Sequence, residues 1–366
     1  MLSQCIEPFE PEGTSFEQLY VVDGIITNEF KAHEIILAQT TSLDLDSFSP
    51  VSGAQISISV NKGFPLALTE IAPGSYITPL FEGRVGSTYS LEIITPSGEV
   101  ITSPSVALKP IPEIKCLEAA FETDDPNNRG ISISVTSEAS SEDVLNLRWE
   151  FTETYEFRSI YPYRFDWVPG VGAVEVDVNE SNVCFISQQS PSIQIFSGIT
   201  QEVQQARNQE IRFIPELSEE LESHYSIEVT QYALDQEGFE YWEVLQELND
   251  NQGSTFDIQP GRVIGNLTSM SGSAVLGYFD ATAVSTQRIF VRPVQFPGLQ
   301  LDRTRRERCS RTRASLAPFA IAEYMEIYGD RQNIVGAITG GGFIVASKEC
   351  TDCRLFGTNE KPSFWP

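Results

Sequence analysis

Short runs of β-branched and aromatic residues, separated by turns rich in Gly, Pro and Asn, recur along most of this chain. Four runs near the start show partial alternation of apolar and polar residues: Leu19–Ile26, Gln55–Val60, Tyr89–Ile94 and Gly98–Leu108. Residues 95–98, Thr-Pro-Ser-Gly, join the last two runs as a predicted hairpin. Strands at this spacing predict an immunoglobulin-like or transthyretin-like β-sandwich over residues 17–109.

A proline-stiffened segment is predicted to end this first domain. Lys109–Glu113 carries Pro at positions 110 and 112, which interrupt a strand ladder and favour a linker. Strand-like runs continue beyond it: Gly130–Thr136, Val144–Glu153, Val171–Val178, Val183–Ile186, Ser192–Ile195, Glu210–Ile214 and Tyr225–Ala233. Their separations are irregular, which favours one larger mixed sheet or sandwich over a repeat. We therefore expect an all-β chain, mainly β with one or two helices, whose second, larger β-rich domain covers residues 113–366.

One amphipathic helix is predicted near residues 236–249. Phe, Trp, Leu and Leu recur every three residues at 239, 242, 245 and 248, while glutamates cover much of the remaining surface. Gly253 can cap its C-terminal end. We expect this helix to cover one open face of a sheet. Residues 319–328 predict a second helix, although the spacing of Ile321, Tyr324 and Ile327 also suits a strand.

The charge balance is strongly acidic. The 366 residues include 51 Asp and Glu against 24 Lys and Arg, a net charge of -27. This charge repels phosphates at long range, so a nucleic-acid partner is not expected. No run approaches the roughly 18 apolar residues of a membrane-spanning helix.

Catalytic motifs are sparse. The chain has two histidines, His33 and His224, and shows no HExxH, GxSxG or GxxxxGK motif. Both histidines are expected to be solvated residues near strand ends rather than general bases. Carboxylates are so abundant that a pair at glycosidase spacing occurs by chance, so none can be identified as catalytic. We expect no enzyme activity and no metal site, with a carboxylate-based hydrolase as the least favoured alternative.

Six separated stretches of the chain carry a specific order of residues. They read LYVVDGIITNE with PVSGAQISI, LRWEFTETYEFRSIYP, EYWEVLQELNDNQGSTFDIQPGRVIGNL, VLGYFDATAVSTQRIFV and CTDCRLFGTNEKPSFWP. Together they resemble the DUF4249 family of Bacteroidota outer-membrane lipoproteins, whose genes usually lie beside those of TonB-dependent transporters. The resemblance implies an outer-membrane protein that assists a transporter, although the family itself is named for an unknown function.

The N-terminal residues look like the end of a bacterial lipoprotein signal. Leu2 lies three residues before Cys5, and Pro and Glu alternate in the residues that follow. With the family resemblance, we expect Cys5 to carry covalent lipid and residues 1–16 to form the tether. Glutamates at 7, 10 and 12 loosely resemble a surface-export pattern. Localisation is therefore expected at the outer membrane on the cell surface, with the periplasmic leaflet as the alternative.

The remaining cysteines suggest an oxidising compartment. With Cys5 set aside, five remain, at 116, 184, 309, 350 and 353, which permit at most two bridges and one free thiol. We favour pairing of Cys350 or Cys353 with Cys309 or Cys184, which fastens the C-terminal segment to the second domain. The alternatives for the Cys350-Thr-Asp-Cys353 motif are redox activity or half of a zinc site, but no second CxxC exists.

Two side-chain clusters are candidates for recognition. Six arginines form a run that is either a solvated loop or a docking patch for an acidic partner loop or lipid phosphate: Arg303, Arg305, Arg306, Arg308, Arg311 and Arg313. Six aromatic residues share one face if their segment is extended: Tyr155, Phe157, Tyr161, Tyr163, Phe165 and Trp167. That face is either sheet core or an exposed surface that stacks on sugars or a partner.

The expected function is therefore noncovalent. The chain is predicted to be a non-enzymatic accessory subunit of a TonB-dependent transporter or a related outer-membrane β-barrel complex, which aids cargo capture or assembly. The alternative is a free-standing cell-surface module that binds glycan or protein. No cofactor is expected beyond the lipid on Cys5.

Overall fold

The computed structural model describes residues 18–41, 48–125, 127–138, 145–161, 163–198, 205–250, 263, 265–302, 307–314, 318–339 and 342–366. The first strands are β1 (Tyr20–Thr27), β2 (Glu34–Gln39), β3 (Ser49–Pro50), β4 (Gln55–Val60), β5 (Pro65–Ala67), β6 (Thr69–Ala72), β7 (Ser75–Ile77), β8 (Thr88–Ile94), β9 (Val100–Thr102) and β10 (Val106–Ala107). The middle strands are β11 (Ile114–Glu122), β12 (Gly130–Glu138), β13 (Asn146–Arg158), β14 (Phe165–Val168), β15 (Gly172–Glu175), β16 (Val183–Gln189), β17 (Gln194–Ser197), β18 (Gln205–Pro215) and β19 (Tyr225–Ala233).

The last strands are β20 (Thr268–Ser269), β21 (Val275–Thr282), β22 (Val284–Val291), β23 (Thr312–Ala314), β24 (Gln332–Ala337) and β25 (Phe343–Ser347). The helices are α1 (Asn179–Asn182), α2 (Gln236–Asp250), α3 (Pro318–Tyr328) and α4 (Lys348–Thr351). Most regular structure in the described residues is therefore β, arranged in several sheets, and the predicted all-β class is confirmed.

The chain forms two compact units. Unit 1 contains residues 1–111 and 233–284, and unit 2 contains residues 112–232 and 285–366. The first crossing, between Ile111 and Pro112, falls inside the proline-stiffened segment. The division differs from the expected domain bounds, because residues 233–284 return to unit 1 instead of continuing a second domain over 113–366. The expected tether, residues 1–16, lies outside the described residues.

Unit 1 is a β-sandwich. One sheet has the strand order β21-β1-β2-β7-β6, with β3 beside β2, and the other has β20-β9-β8-β4-β5, with β10 beside β8. Alternate side chains of both sheets face one core, which includes Val22 and Leu37 from the first sheet and Ile58, Leu91 and Ile101 from the second. This is the alternation that the sequence of the first four runs predicts.

The returning segment joins unit 1 through a parallel strand pair. β21 pairs with β1 in parallel from Tyr20 opposite Val275 to Thr27 opposite Thr282. Gly277 has a φ of 95°, and a Cβ there would lie 1.9 Å from the carbonyl oxygen of Val22. Only a residue without a side chain fits this close approach. Parallel partners so distant in sequence leave no hairpin signal, which is why the domain bounds could not be predicted.

Unit 2 contains three sheets. Their strand orders are β11-β12-β18, then β16-β13-β19-β22 with β17 beside β13, and β15-β14-β24-β25-β23. Gln231 of β19 is fully buried and accepts hydrogen bonds from Ser137 Oγ at 2.6 Å and Trp149 Nε1 at 2.8 Å. Its amide donates to the carbonyl of Pro112 at 2.8 Å. This side chain therefore connects β12, β13 and the start of the unit, and its polar atoms are satisfied.

Both predicted helices are confirmed, but the predicted apolar face of α2 is only half-buried. Phe239, Trp242, Leu245 and Leu248 are all partly exposed, whereas Gly238 is buried. A helix turns about 100° per residue, so a three-residue spacing rotates by about 60° at each step and spreads four side chains over half the circumference. The strict period of three therefore predicts the helix but not its packing face.

The aromatic segment is divided between two strands. Tyr155 and Phe157 end β13 and are buried, whereas Phe165 and Trp167 lie on β14 and are half-buried against Ile334 of β24. Because β13 and β14 belong to different sheets, the six aromatic residues do not share one strand face. Within the described residues, no helix is long and apolar enough to cross a membrane.

Candidate functional site

The best-defined candidate site is a cavity beside α2 in unit 1. Asp235 caps this helix, because its side chain accepts a hydrogen bond from the backbone N–H of Gly238 at 2.7 Å. Three residues of the first two turns line the cavity: Glu237, Glu240 and Tyr241. Its volume of about 450 Å³ lies within the range of small-molecule sites. We refer to it below as the α2 cavity.

Two tyrosines form the aromatic part of the wall. Tyr241 of α2 stacks on Tyr278 of β21, with ring centroids 4.8 Å apart and ring planes 29° apart. Tyr278 is buried, and its hydroxyl lies against Gly238, where an added Cβ would come within 3.5 Å of it. The start of the helix and the sheet are therefore in van der Waals contact at this point.

Another part of the wall, around Asn266, is held against the backbone of β21. The side chain of Asn266 donates to the carbonyl of Phe279 at 2.8 Å and accepts from the N–H of the same residue at 3.0 Å. Gly265 packs directly against Gly277, because a Cβ on Gly265 would lie only 1.5 Å from the carbonyl oxygen of Gly277. These contacts attach the wall segment to β21, so the described part of the cavity is preformed rather than assembled from loose loops.

The electrostatic environment of the α2 cavity is negative. Burial, and then the charges of Asp235, Asp280 and Glu237, raise the pKa of the Tyr278 hydroxyl, which therefore stays protonated at neutral pH. Glu240 also lines the cavity and accepts a hydrogen bond from Gln236 at 2.8 Å. Among the lining residues in the described part of the chain, none is Lys or Arg.

A second polar cluster lies inside unit 2. Glu153 of β13 is buried and accepts hydrogen bonds from Tyr225 at 2.8 Å and from Arg212 at 3.1 and 3.4 Å. Burial, and then the charge of Glu153, raise the pKa of the Tyr225 hydroxyl, which remains a donor. Since Arg212 belongs to another sheet than Glu153 and Tyr225, the cluster joins two sheets. A carboxylate occupied by three donors suits this structural role better than general-base chemistry.

The two histidines occupy different environments. His33 is 1% exposed, so its predicted solvated position is wrong. Its Nδ1 accepts from the N–H of Thr27 at 3.4 Å, its Nε2 lies 3.3 Å from the carbonyl of Phe81, and the two rings meet edge to face. His224 is partly exposed, with Nδ1 3.9 Å from Glu156. No group of three or more His, Cys, Asp or Glu that could hold a metal ion occurs in the described ranges.

The four cysteines named as possible disulfide partners form two bridges. Cys184 is bonded to Cys353 and Cys309 to Cys350, so the two cysteines of the CxxC motif pair with different partners. Cys116 is a free, partly buried thiol. Trp365, which follows both cysteines of the CxxC motif in the sequence, packs edge to face on Phe185 and Phe290. The bridges thus fasten the C-terminal segment within unit 2.

The arginine run is only partly described. Arg303, Arg305 and Arg306, like the expected lipid site Cys5, lie outside the described residues. The guanidinium of Arg311 lies 4.7 Å from the ring centre of Tyr161, whose hydroxyl donates to the carbonyl of Cys309 at 2.9 Å. Arg308 is exposed, and Arg313 pairs with Ile344 through β23. Disulfide bonding at Cys309 therefore fixes the centre of this run.

Sequence reasoning missed an apolar surface at one end of the unit 1 sandwich. Three loops meet there: residues 28–33, 61–64 and 78–87, which we call the loop end. The N–H of Gly83 donates to the carbonyl oxygen of Thr27 at 2.9 Å. The N–H of Asn61 donates to the carbonyl oxygen of Thr88 at 2.8 Å.

The loop end exposes four large apolar side chains, of which Phe64 is 97% exposed: Phe30, Phe64, Leu80 and Val85. The four residues come from three separate segments of the sequence, so only the strand pairing that gathers the loops could have identified the surface.

A family model matches most of the chain. A family model described as a domain of unknown function, DUF4249, matches residues 6–288, more than three quarters of the chain. The matched range contains the α2 cavity and the loop end, whereas Cys309, Cys350 and Cys353 lie beyond it. A search of curated proteins gives no match.

Proposed function

The chain belongs to the DUF4249 family, and from that membership we propose that it is a Bacteroidota outer-membrane lipoprotein that assists a TonB-dependent transporter. It acts as a non-enzymatic accessory subunit of such a transporter or of a related outer-membrane β-barrel complex, and it aids cargo capture or assembly. The barrel moves the cargo, and this chain contributes binding.

The observation that carries a binding role is the α2 cavity inside the family-matched range. Its lining offers stacked phenol rings and carboxylates, which can contact a ligand by ring stacking, hydrogen bonds and charge. The buried carboxylate of Glu153, the other candidate centre, is occupied by Arg212 and Tyr225. These arrangements favour noncovalent binding over turnover.

The proposed anchor is covalent lipid on Cys5, attached through the tether of residues 1–16. Lipid attachment keeps the chain at the outer membrane, on the cell surface in the proposed arrangement. Tethering raises the effective concentration of the chain beside a barrel partner, so even a small contact surface can hold the complex together. Replacement of Cys5 by Ser should release the chain from the membrane fraction.

The proposed contact with the barrel is the loop end of unit 1. Its exposed Phe30, Phe64 and Leu80 provide an apolar centre. Its loops carry three basic and two acidic side chains, at positions 31, 62 and 84 and at 29 and 82, in a chain of net charge -27. This end is therefore less repelled by an acidic partner than the rest of the surface.

Affinity purification of the tagged, lipidated chain from membranes in detergent tests the proposal. Stoichiometric recovery of a large β-barrel protein supports the accessory role, and recovery of the chain alone contradicts it. The second candidate, a free-standing glycan-binding module, is favoured by the stacked pair Tyr241 and Tyr278. Isolation alone together with saturable glycan binding would replace the first candidate by the second.

A further inference from the structure

We propose that the α2 cavity binds an organic cation, namely an alkylammonium or guanidinium group. This ligand class rests on the proposed role of the chain as a binding protein, and it specifies what the cavity recognises. The same chemistry is offered by a free small amine and by a lysine or arginine side chain of a protein segment.

The aromatic lining fits a cation. Tyr241 and Tyr278 both line the cavity and stack face to face at 4.8 Å, so two electron-rich rings contribute to its wall. A cation near the face of an aromatic ring is attracted by the quadrupole of the ring, and this attraction is strongest where water is partly excluded. Tyr278 is almost fully buried, which meets that condition.

The charges around the cavity favour a cation over an anion or a neutral sugar. Glu237 and Glu240 contribute carboxylates to the lining, and the charges of Asp235 and Asp280 act on the hydroxyl of Tyr278. Within the described residues, no Lys or Arg forms an ion pair with Glu237 or Glu240. The carboxylates of Glu237 and Glu240 would attract a bound cation and repel an anion.

The size and rigidity of the cavity suit an extended cationic chain. About 450 Å³ accommodates an alkyl stem together with its charged head, and Val244 and Val263 offer apolar contacts for the stem. Because Asp235 fixes the helix start and Asn266 fixes another part of the wall, little ordering is required on binding.

Calorimetric titration of the full chain with N-acetyl-arginine methylamide tests the proposal, with the citrulline analogue as the uncharged control. We expect saturable binding of the arginine probe that weakens as salt is added, and binding at least tenfold weaker for the citrulline probe. Butylammonium serves as the free-amine probe and should compete for the same site. N-acetyl-lysine methylamide carries the same ammonium group on a peptide-like backbone. Much tighter binding of this lysine probe than of butylammonium identifies a protein segment as the source, and equal or tighter binding of butylammonium identifies a free amine.

Matched variants locate the binding site. Glu237→Gln should weaken the arginine probe about fivefold to tenfold, whereas Glu243→Gln, an equal charge change on an exposed position of α2 outside the cavity lining, should change it less than twofold. Tyr241→Leu should weaken it about fivefold. Circular dichroism of each variant establishes that α2 is intact.

Equal binding of the citrulline and arginine probes, equal effects of Glu237→Gln and Glu243→Gln, or no saturable binding would each overturn the assignment of the ligand. Failure of cation binding while a barrel is still recovered in detergent rejects the ligand class alone. Cation binding without any recovered barrel rejects the accessory role and leaves the ligand class standing.

Discussion

Tyr241 of α2 stacks on Tyr278 of β21, with ring centroids 4.8 Å apart. This contact connects the helix to an edge strand that pairs with β1 in parallel. The same two rings line the α2 cavity, so one contact serves both the packing of unit 1 and its candidate binding site.

Tyr241→Leu should reduce the free energy of unfolding by about 1 kcal/mol, because leucine keeps much of the apolar contact but loses the ring stacking. Urea unfolding followed by circular dichroism measures the change. Val244→Ala on the same helix, where the valine is 43% exposed, should cost less than half as much. Equal losses in the two variants would contradict a specific role for the ring pair.

Arg212→Met should destabilise the protein by about 3 kcal/mol, because it leaves the buried carboxylate of Glu153 without its cationic partner. Lys115→Met breaks an ion pair whose lysine is 60% exposed, and it should cost less than about 1 kcal/mol. Chemical denaturation of both variants provides the comparison. A loss for Arg212→Met as small as that of the control would show that the cluster does not join the two sheets.

The stability that His33 contributes should decrease as the pH falls below about 6.5. Burial, and then the charge of Lys31, lower the pKa of the His33 ring in the folded protein. Above the unfolded pKa the ring is neutral in both states. Below it the unfolded chain takes up a proton that the folded chain resists, so the free energy of unfolding decreases until the pH reaches the folded pKa.

Urea unfolding of the wild type and of His33→Gln at pH 8 and pH 5 measures this dependence. The free energy of unfolding of the wild type should exceed that of the variant by more at pH 8 than at pH 5. Because all other titrating groups are common to both proteins, the difference isolates His33. A difference in the free energy of unfolding that stays constant or increases on acidification would refute the assignment of a neutral buried ring.

Removal of the Cys184–Cys353 bridge by Cys184→Ser with Cys353→Ser should cost about 3 kcal/mol or more, since the bridge closes a sequence separation of 169 residues. Limited proteolysis should then cleave near Phe356, ahead of the Trp365 contact with Phe185. Cys116→Ser removes a free thiol and should leave both stability and the cleavage pattern unchanged. An intact C-terminal segment in the double variant would mean that packing alone holds it.

Local patterns in the sequence predicted the elements that depend on near neighbours. Gln55–Val60 and Tyr225–Ala233 form strands with the predicted bounds, and residues 95–98 join β8 to β9 as an antiparallel hairpin. Alternation and turn chemistry act over a few residues, so one sequence suffices to identify them.

Relationships between distant residues were not predictable in the same way. The parallel pairing of β21 with β1 brings residues 275–282 into unit 1, and the α2 cavity depends on that pairing. The burial of His33 depends on Phe81 and Thr78, which belong to another loop and strand end. Tyr241 was overlooked because the three-residue spacing of its apolar neighbours indicated a different face.

Detergent purification of the lipidated chain, with quantification of the recovered barrel, tests the proposed role most directly. The wild type should recover a β-barrel protein in a near-equal molar amount. The loop-end variant, which combines Phe30→Ser, Phe64→Ser and Leu80→Ser, should recover at least tenfold less of this barrel protein than the wild type does. The control variant Val171→Ser, Val294→Ser replaces equally exposed apolar side chains of unit 2 and should recover as much as the wild type. Wild-type chain that is recovered without a barrel, or a loop-end variant that retains it fully, would contradict the account.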